Sequence, residues 1–120
     1  MGSFEDLEVW REGCDLAVLI YGVFEEGKIK RDYGLKDQMT RAAVSIPSNV
    51  VEGKERETVP ELLRYLSYAK GSAGELRTQL HIAHKIGYLS EESFSNLTHR
   101  TRVLSKKLAG FIKRLKAMKV

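Results

Sequence analysis

The sequence predicts an all-α protein: an antiparallel, up-down-up-down four-helix bundle forming one domain over residues 1–120. Three observations carry that prediction. Apolar residues recur at three- and four-residue intervals along four long stretches. No stretch alternates apolar and polar residues over the length of a strand. The stretches are parted by short segments rich in helix-stop and helix-start residues, so each helix turns back against the one before it. Helices of about 20 to 28 residues are roughly 30 to 40 Å long.

The first helix is expected from about Asp6 to Glu26, with Val9, Leu16, Ala17, Ile20, Val23 and Phe24 on one stripe and Trp10 beside it. Glu5, Asp6 and Glu8 stand at its start, where carboxylates favour the positive end of the macrodipole. Gly27 is the expected stop, because glycine tolerates the left-handed conformation at a helix end. The segment KIKRDY then reads as a short polar connection.

The second helix, from Tyr33 to about Lys54, is the one around which the others pack. Leu35, Met39, Ala42, Ala43 and Ile46 form its apolar face, and Val50 and Val51 resume that face in phase beyond Pro47. Proline lacks an N–H and clashes with the carbonyl four residues back, so a helix kinked near Pro47 is expected. Ala42, Ala43, Ser45 and Ser48 are small enough to admit a neighbouring helix closely. Thr58 is the expected N-cap of the third helix, with Pro60 in the first turn and Glu61 completing a capping box. That helix is expected over Val59–Ile86, with Leu62, Leu66, Ala69, Ala73, Leu76, Leu80 and Ala83 as its stripe. Gly71 and Gly74 each weaken a helix interior by roughly 1 kcal/mol relative to Ala, and close backbone contact with another helix is the expected compensation. Gly87 closes the helix, and Ser90 caps a fourth one over about Glu91–Met118. Its seam, Phe94, Leu97, Thr101, Leu104, Leu108, Phe111, Leu115 and Met118, is a heptad repeat of the kind that packs helices at about 20°.

Apolar residues at 42% and charged ones at 30% are an ordinary globular balance. One cysteine, Cys14, allows no intrachain disulfide and fits a reducing compartment; among apolar helical positions it reads as a small buried hydrophobe rather than a reactive thiol. The first ten residues have neither the basic start nor the apolar run of a signal peptide, and no run of 18 apolar residues occurs. A cytoplasmic protein with no membrane partner is expected. The net charge of +4 is unevenly placed: Ser93–Val120 holds eight Lys or Arg and no acid.

The opening stretch of the second helix carries a family resemblance. Tyr33-Gly34-Leu35, Gln38, Arg41-Ala42-Ala43, Ser45-Ile46-Pro47-Ser48-Asn49 and Glu52-Gly53 resemble the four-helix-bundle family linked to 23S rRNA intervening sequences. Phe4-Glu5-Asp6-Leu7 with Val9-Trp10, Ala69-Lys70-Gly71-Ser72 with Glu75-Leu76 and Gln79-Leu80, and Gly87-Tyr88-Leu89-Ser90 extend the likeness over nearly the whole chain. Lys54-Glu55-Arg56-Glu57 departs from it, being more acidic than in many relatives. The resemblance implies an antiparallel bundle, a ring-shaped homopentamer and no enzymatic activity. It also places the chain at a distance from the accessory protein of diversity-generating retroelements, which binds nucleic acid and a reverse transcriptase.

The candidate nucleic-acid site is the basic fourth helix: Arg100, Arg102, Lys106, Lys107, Lys113, Arg114 and Lys116 mostly fall off the apolar seam and are expected in solvent. Such clustering suits phosphate, because released counterions drive association; the bland reading is a solubilising face with cations at the negative end of a helix. No aromatic is interleaved on that side, which favours structured RNA or duplex over stacked single strands. Arg41 and Lys70 are weaker additions. His81 and His84 are spaced for one metal but lack further ligands, and His99 is isolated, so packing or surface roles are expected. Asn49 and Glu52 are expected to satisfy backbone groups freed at Pro47. No phosphate loop, nucleophile elbow or Cys–His motif is present, and no cofactor or catalysis is expected. The reading is a non-catalytic RNA-associated homo-oligomer; the alternative is an adaptor that binds a protein partner without nucleic acid.

Overall fold

The computed structural model describes residues 7–118, and among them the chain is helical with no strand. Four long helices, α1 (Glu8–Val23), α2 (Tyr33–Glu55), α3 (Val59–Lys85) and α4 (Glu91–Ala117), pack side by side in a body of 51 × 20 × 20 Å. A four-residue 3₁₀ turn, Lys28–Arg31, links α1 to α2. Contacts are densest between α2 and α3, and thinnest, of the neighbouring pairs, between α1 and α4.

Each helix forms where its apolar period and its caps coincide. Thr58 accepts a hydrogen bond from the Glu61 N–H at 3.3 Å, and Ser90 accepts one from the Ser93 N–H at 3.1 Å. The side chain of Asp32 caps α2 by accepting from the Leu35 N–H at 3.0 Å and is held in turn by the Tyr88 hydroxyl, which donates to it at 3.0 Å. That contact joins the start of α2 to the α3–α4 turn. The α3 end is a Schellman motif around Gly87 (φ 83°): the Gly87 N–H reaches the His84 carbonyl and the Tyr88 N–H reaches that of Ala83. All seven residues of the α3 stripe are buried, and on α4 Leu97, Thr101, Leu104, Leu108 and Leu115 are. Met118 leaves the seam, 71% exposed at the helix end.

Several expectations need correction. The first helix starts at Glu8 and stops at Val23, so Gly27 is not its cap; with φ 83° it turns the chain into the 3₁₀ segment instead. Phe24 is pulled into the core and takes the chain out of helical register. The expected roles of Glu5 and Asp6 lie outside the described residues. The KIKRDY connection is not merely polar: Ile29 is buried. No correction falls on Pro47, which lies inside the single helix α2. Gly71 and Gly74 are not sites of helix approach, since a Cβ on Gly71 would meet no described atom within 4 Å and one on Gly74 only Arg77 Nη2 at 3.9 Å. The close approaches occur elsewhere. A Cβ on Gly13 would lie 3.1 Å from Pro47 Cδ, and one on Gly53 would lie 2.9 Å from Tyr65 Cβ. Ser45 does face α3, where its hydroxyl meets that of Ser72 at 2.8 Å, but Ser48 is exposed.

Candidate nucleic-acid interface

The helix period sorts the α4 cations into two rows. Successive residues turn about 100°, so Arg102, Lys106 and Lys113 fall opposite the buried seam, and all three are exposed. Arg100, Lys107 and Arg114, spaced by seven, form a second row along the α1 side. The facing edge of α1 carries Glu8, Glu12 and Asp15. Lys107 donates to Glu8 Oε2 at 2.9 Å and to Glu12 Oε2, and is half-buried. Lys107 is thus not one of the solvated cations that its place off the seam suggested. Its two hydrogen-bonded carboxylates hold the ammonium above its ordinary range, Glu12 contributing most, and the Lys107 hydrogen bond holds the Glu8 carboxyl below its own. Arg100 stands beside Glu12 and Asp15 in a small cleft, and the Arg114 guanidinium lies 5.8 Å from the Phe111 ring.

Lys116 is exposed near the end of α4. Lys70 is exposed on α3, seven residues before Arg77, whose guanidinium donates to Ser105 Oγ of α4 at 3.1 Å; Lys70 therefore lies on the α4-facing edge of α3. Arg41 does not join this group. It lies on α2, paired with Asp37 at 3.0 Å, beside a shallow dent shared with Gln38, Ser45, Glu75 and Gln79.

Beside the start of α1 and the last turns of α4, at the end of the bundle holding the α3 N-terminus, lies a groove of about 780 Å³. Val9, Leu62, Val103, Phe111 and Leu115 line it with apolar surface, and Lys106, Lys107 and Arg114 line its α4 side.

This bundle, with its polar α2 segment and its basic α4, matches a known family. Residues 5–110 fit the family described as 23S rRNA-intervening sequence protein. The chain belongs to that family. The fold is also similar to that of a crystal structure of a protein with unknown function from the S23 ribosomal protein family of Bacteroides thetaiotaomicron. The TM-score is 0.80 at 19% identity, over 88% of this chain and 95% of that one; at that identity the likeness is one of fold. No curated protein matches the chain.

Other polar residues of this family member serve the scaffold. His84 stacks on Phe94 with ring centroids 4.1 Å apart, while its Nε2 meets Glu91 Oε1 at 3.0 Å; His81 sets its edge against the same ring at 4.9 Å. Both histidines thus pack the α3–α4 corner, and His99 is exposed. Among the described residues no three His, Cys, Asp or Glu are placed to hold a metal, and no helix is long and apolar enough to cross a membrane. Asn49 donates to the Ser45 carbonyl at 2.8 Å rather than to the Ala43 carbonyl that Pro47 deprives of its helical donor, and Glu52 is exposed and pairs with Arg56 at 2.9 Å. Cys14 is half-buried, and burial pushes its thiol up.

Two clusters were not read from the sequence. Arg56 and Arg64 lie over the Tyr65 ring, with centroid distances of 5.1 and 5.4 Å, and both reach Glu61. The α1–α4 ion pair is the other. Its signal was available: an acidic row at 8, 12 and 15 and a basic row at 100, 107 and 114 have matching helical spacing.

Proposed function

We propose that this chain is a non-catalytic, RNA-associated protein whose α4 row Arg102, Lys106 and Lys113, extended by Lys116 and Lys70, contacts phosphates of structured RNA. The single observation behind this is the sorting of the α4 cations: Lys107 in the α1-facing row is spent on α1 carboxylates, while Arg102, Lys106 and Lys113 are exposed and have no ion-pair partner among the described residues. The family's description, a protein of 23S rRNA intervening sequences, makes RNA the first ligand to try. The chain is read as one cytoplasmic domain, antiparallel up-down-up-down and bent near Pro47. The pairs Gln38–Gln79, Ser45–Ser72 and Arg56–Tyr65 along α2 and α3, and Arg77–Ser105 and His84–Glu91 along α3 and α4, run in opposite senses on the two helices and support the antiparallel order. A homo-oligomeric ring, a pentamer by family likeness, would set several α4 rows in one field. Val18, Tyr21 and Val44, all exposed on α1 and α2, are apolar surface suited to subunit contact.

Fluorescence anisotropy with structured RNA, duplex DNA and single strands tests this reading. Three phosphate contacts per subunit give a log–log salt slope near −2.7, so duplex affinity should drop about forty-fold between roughly 50 and 200 mM salt. Charge reversal at Arg102, Lys106 and Lys113 should abolish binding, whereas reversal at Arg41 should leave it intact. No binding to any probe at low salt would retire the nucleic-acid reading in favour of a protein-binding adaptor. Light scattering that returns the 13.6 kDa monomer at every concentration would end the ring proposal.

A further inference from the structure

The α1–α4 groove has a chemistry that phosphate contacts do not use. Its floor is apolar, built by Val9, Leu62, Val103, Phe111 and Leu115, and its volume of about 780 Å³ falls within the range of roughly 300–1,000 Å³ typical of small-molecule sites. Its charge is one-sided. Lys107 is neutralised by Glu8 and Glu12, but Lys106 and Arg114 line the same groove with no carboxylate within ion-pair distance among the described residues. Gly110 is the second peculiarity. It sits inside α4 on the groove wall, where glycine weakens a helix. No close helix contact requires it: among the described residues a Cβ there would meet only Arg114 Nη1, at 3.5 Å, the end of a flexible side chain. Compare Gly53, where Tyr65 and Leu62 fill the space a side chain would need. At Gly110 the missing side chain leaves the groove open.

We infer that this groove binds a free long-chain acyl carboxylate, with its methylenes along the Val103–Phe111–Leu115 floor and its head group between Lys106 and Arg114. An apolar trough with uncompensated cations at its rim is complementary to that ligand: burial of methylenes provides the affinity, and the cations select the anionic head. The inference shares Lys106 with the proposed phosphate row but not its apolar floor, so a change confined to the floor separates the two.

The test is isothermal titration calorimetry of the intact protein with octanoate, decanoate and dodecanoate, each below its micelle concentration, alongside decyltrimethylammonium. Each added methylene should tighten binding about fourfold, so dodecanoate should bind roughly fifteen-fold tighter than decanoate, and the cationic amphiphile should bind at least tenfold more weakly than decanoate. Gly110→Leu, which fills the trough without changing any charge, should weaken decanoate at least tenfold and leave RNA anisotropy unchanged. Arg114→Gln should weaken the carboxylate while retaining the chain-length trend. Affinity flat in chain length, equal binding of the cation, or unaltered binding by a Gly110→Leu protein with normal circular dichroism overturns the inference. So does a Gly110→Leu protein that loses its oligomeric mass while the wild type binds no carboxylate, which would assign the groove to a second copy of the chain.

Discussion

The α2–α3 seam and the α1–α4 seam belong to one bundle but are built by opposite means. Between α2 and α3 the surfaces close on small groups: Gly53 receives Tyr65 and Leu62, and the hydroxyls of Ser45 and Ser72 meet at 2.8 Å. Between α1 and α4 a lysine bridges two carboxylates, and beside it lies the groove. Packing at close range is unforgiving of volume changes, whereas exposed ion pairs tolerate relative movement and weaken with salt. The lesson is a division of labour: the tight seam sets the fold, and the loose one leaves surface available for ligands.

The sharpest way to break this comparison is to truncate one apolar side chain in each seam. Ile46, fully buried on α2, should lose about 2–5 kcal/mol on Ile46→Ala in urea unfolding. Val103→Ala, on the groove wall, should cost clearly less because that side chain is already only half-buried. Equal losses would mean that the groove is closed in solution. The glycines give the next largest contrast, with opposite signs. Gly53→Ala puts a Cβ 2.9 Å from Tyr65 Cβ and should destabilise by about 1–3 kcal/mol. Gly110→Ala meets nothing closer than 3.5 Å and should stabilise by about 1 kcal/mol through helix propensity. A stabilising Gly53→Ala would remove the tight seam from the account.

The tight seam was largely legible in the sequence, and the loose one was not. The α3 stripe, the Thr58 and Ser90 caps and the small residues on α2 all express local periodicity, which reports which face of a helix turns inward. Ile29 escaped because one isoleucine among Lys28, Lys30 and Arg31 has no periodic neighbours; tertiary contact alone buries it. Lys107 escaped for a different reason. Its partners Glu8 and Glu12 lie 99 and 95 residues away, and a lateral position on one helix does not say which helix stands beside it. Gly71 and Gly110 show the same limit from the other side. Both are helix-interior glycines, and only the packed structure reveals that one opens to solvent while the other opens into a groove.

The smallest effect probes the ion pair itself. Glu8 is an exposed carboxylate whose ordinary value of 4.5 is lowered, first by the hydrogen bond from Lys107 and then by its charge. A depressed folded-state pKa contributes stability that is present above the unfolded value and is lost as pH falls through the folded one. Acidification below about 4.5 should therefore weaken the Lys107–Glu8 contact while the buried faces of all four helices remain packed. In an NMR titration, the Glu8 side-chain carbonyl should show a midpoint below 4.5 in the native protein and a return toward that value in Lys107→Met. Amide exchange in the first turn of α1 should quicken in the same variant, with α2 and α3 unchanged. Raising the salt should move the native midpoint in the same direction, because the pair is screened by solvent. A Glu8 midpoint indifferent to both changes would show that Lys107 does not hold the seam. The groove's one-sided charge would then have to be recounted with Lys107 among its unpaired cations.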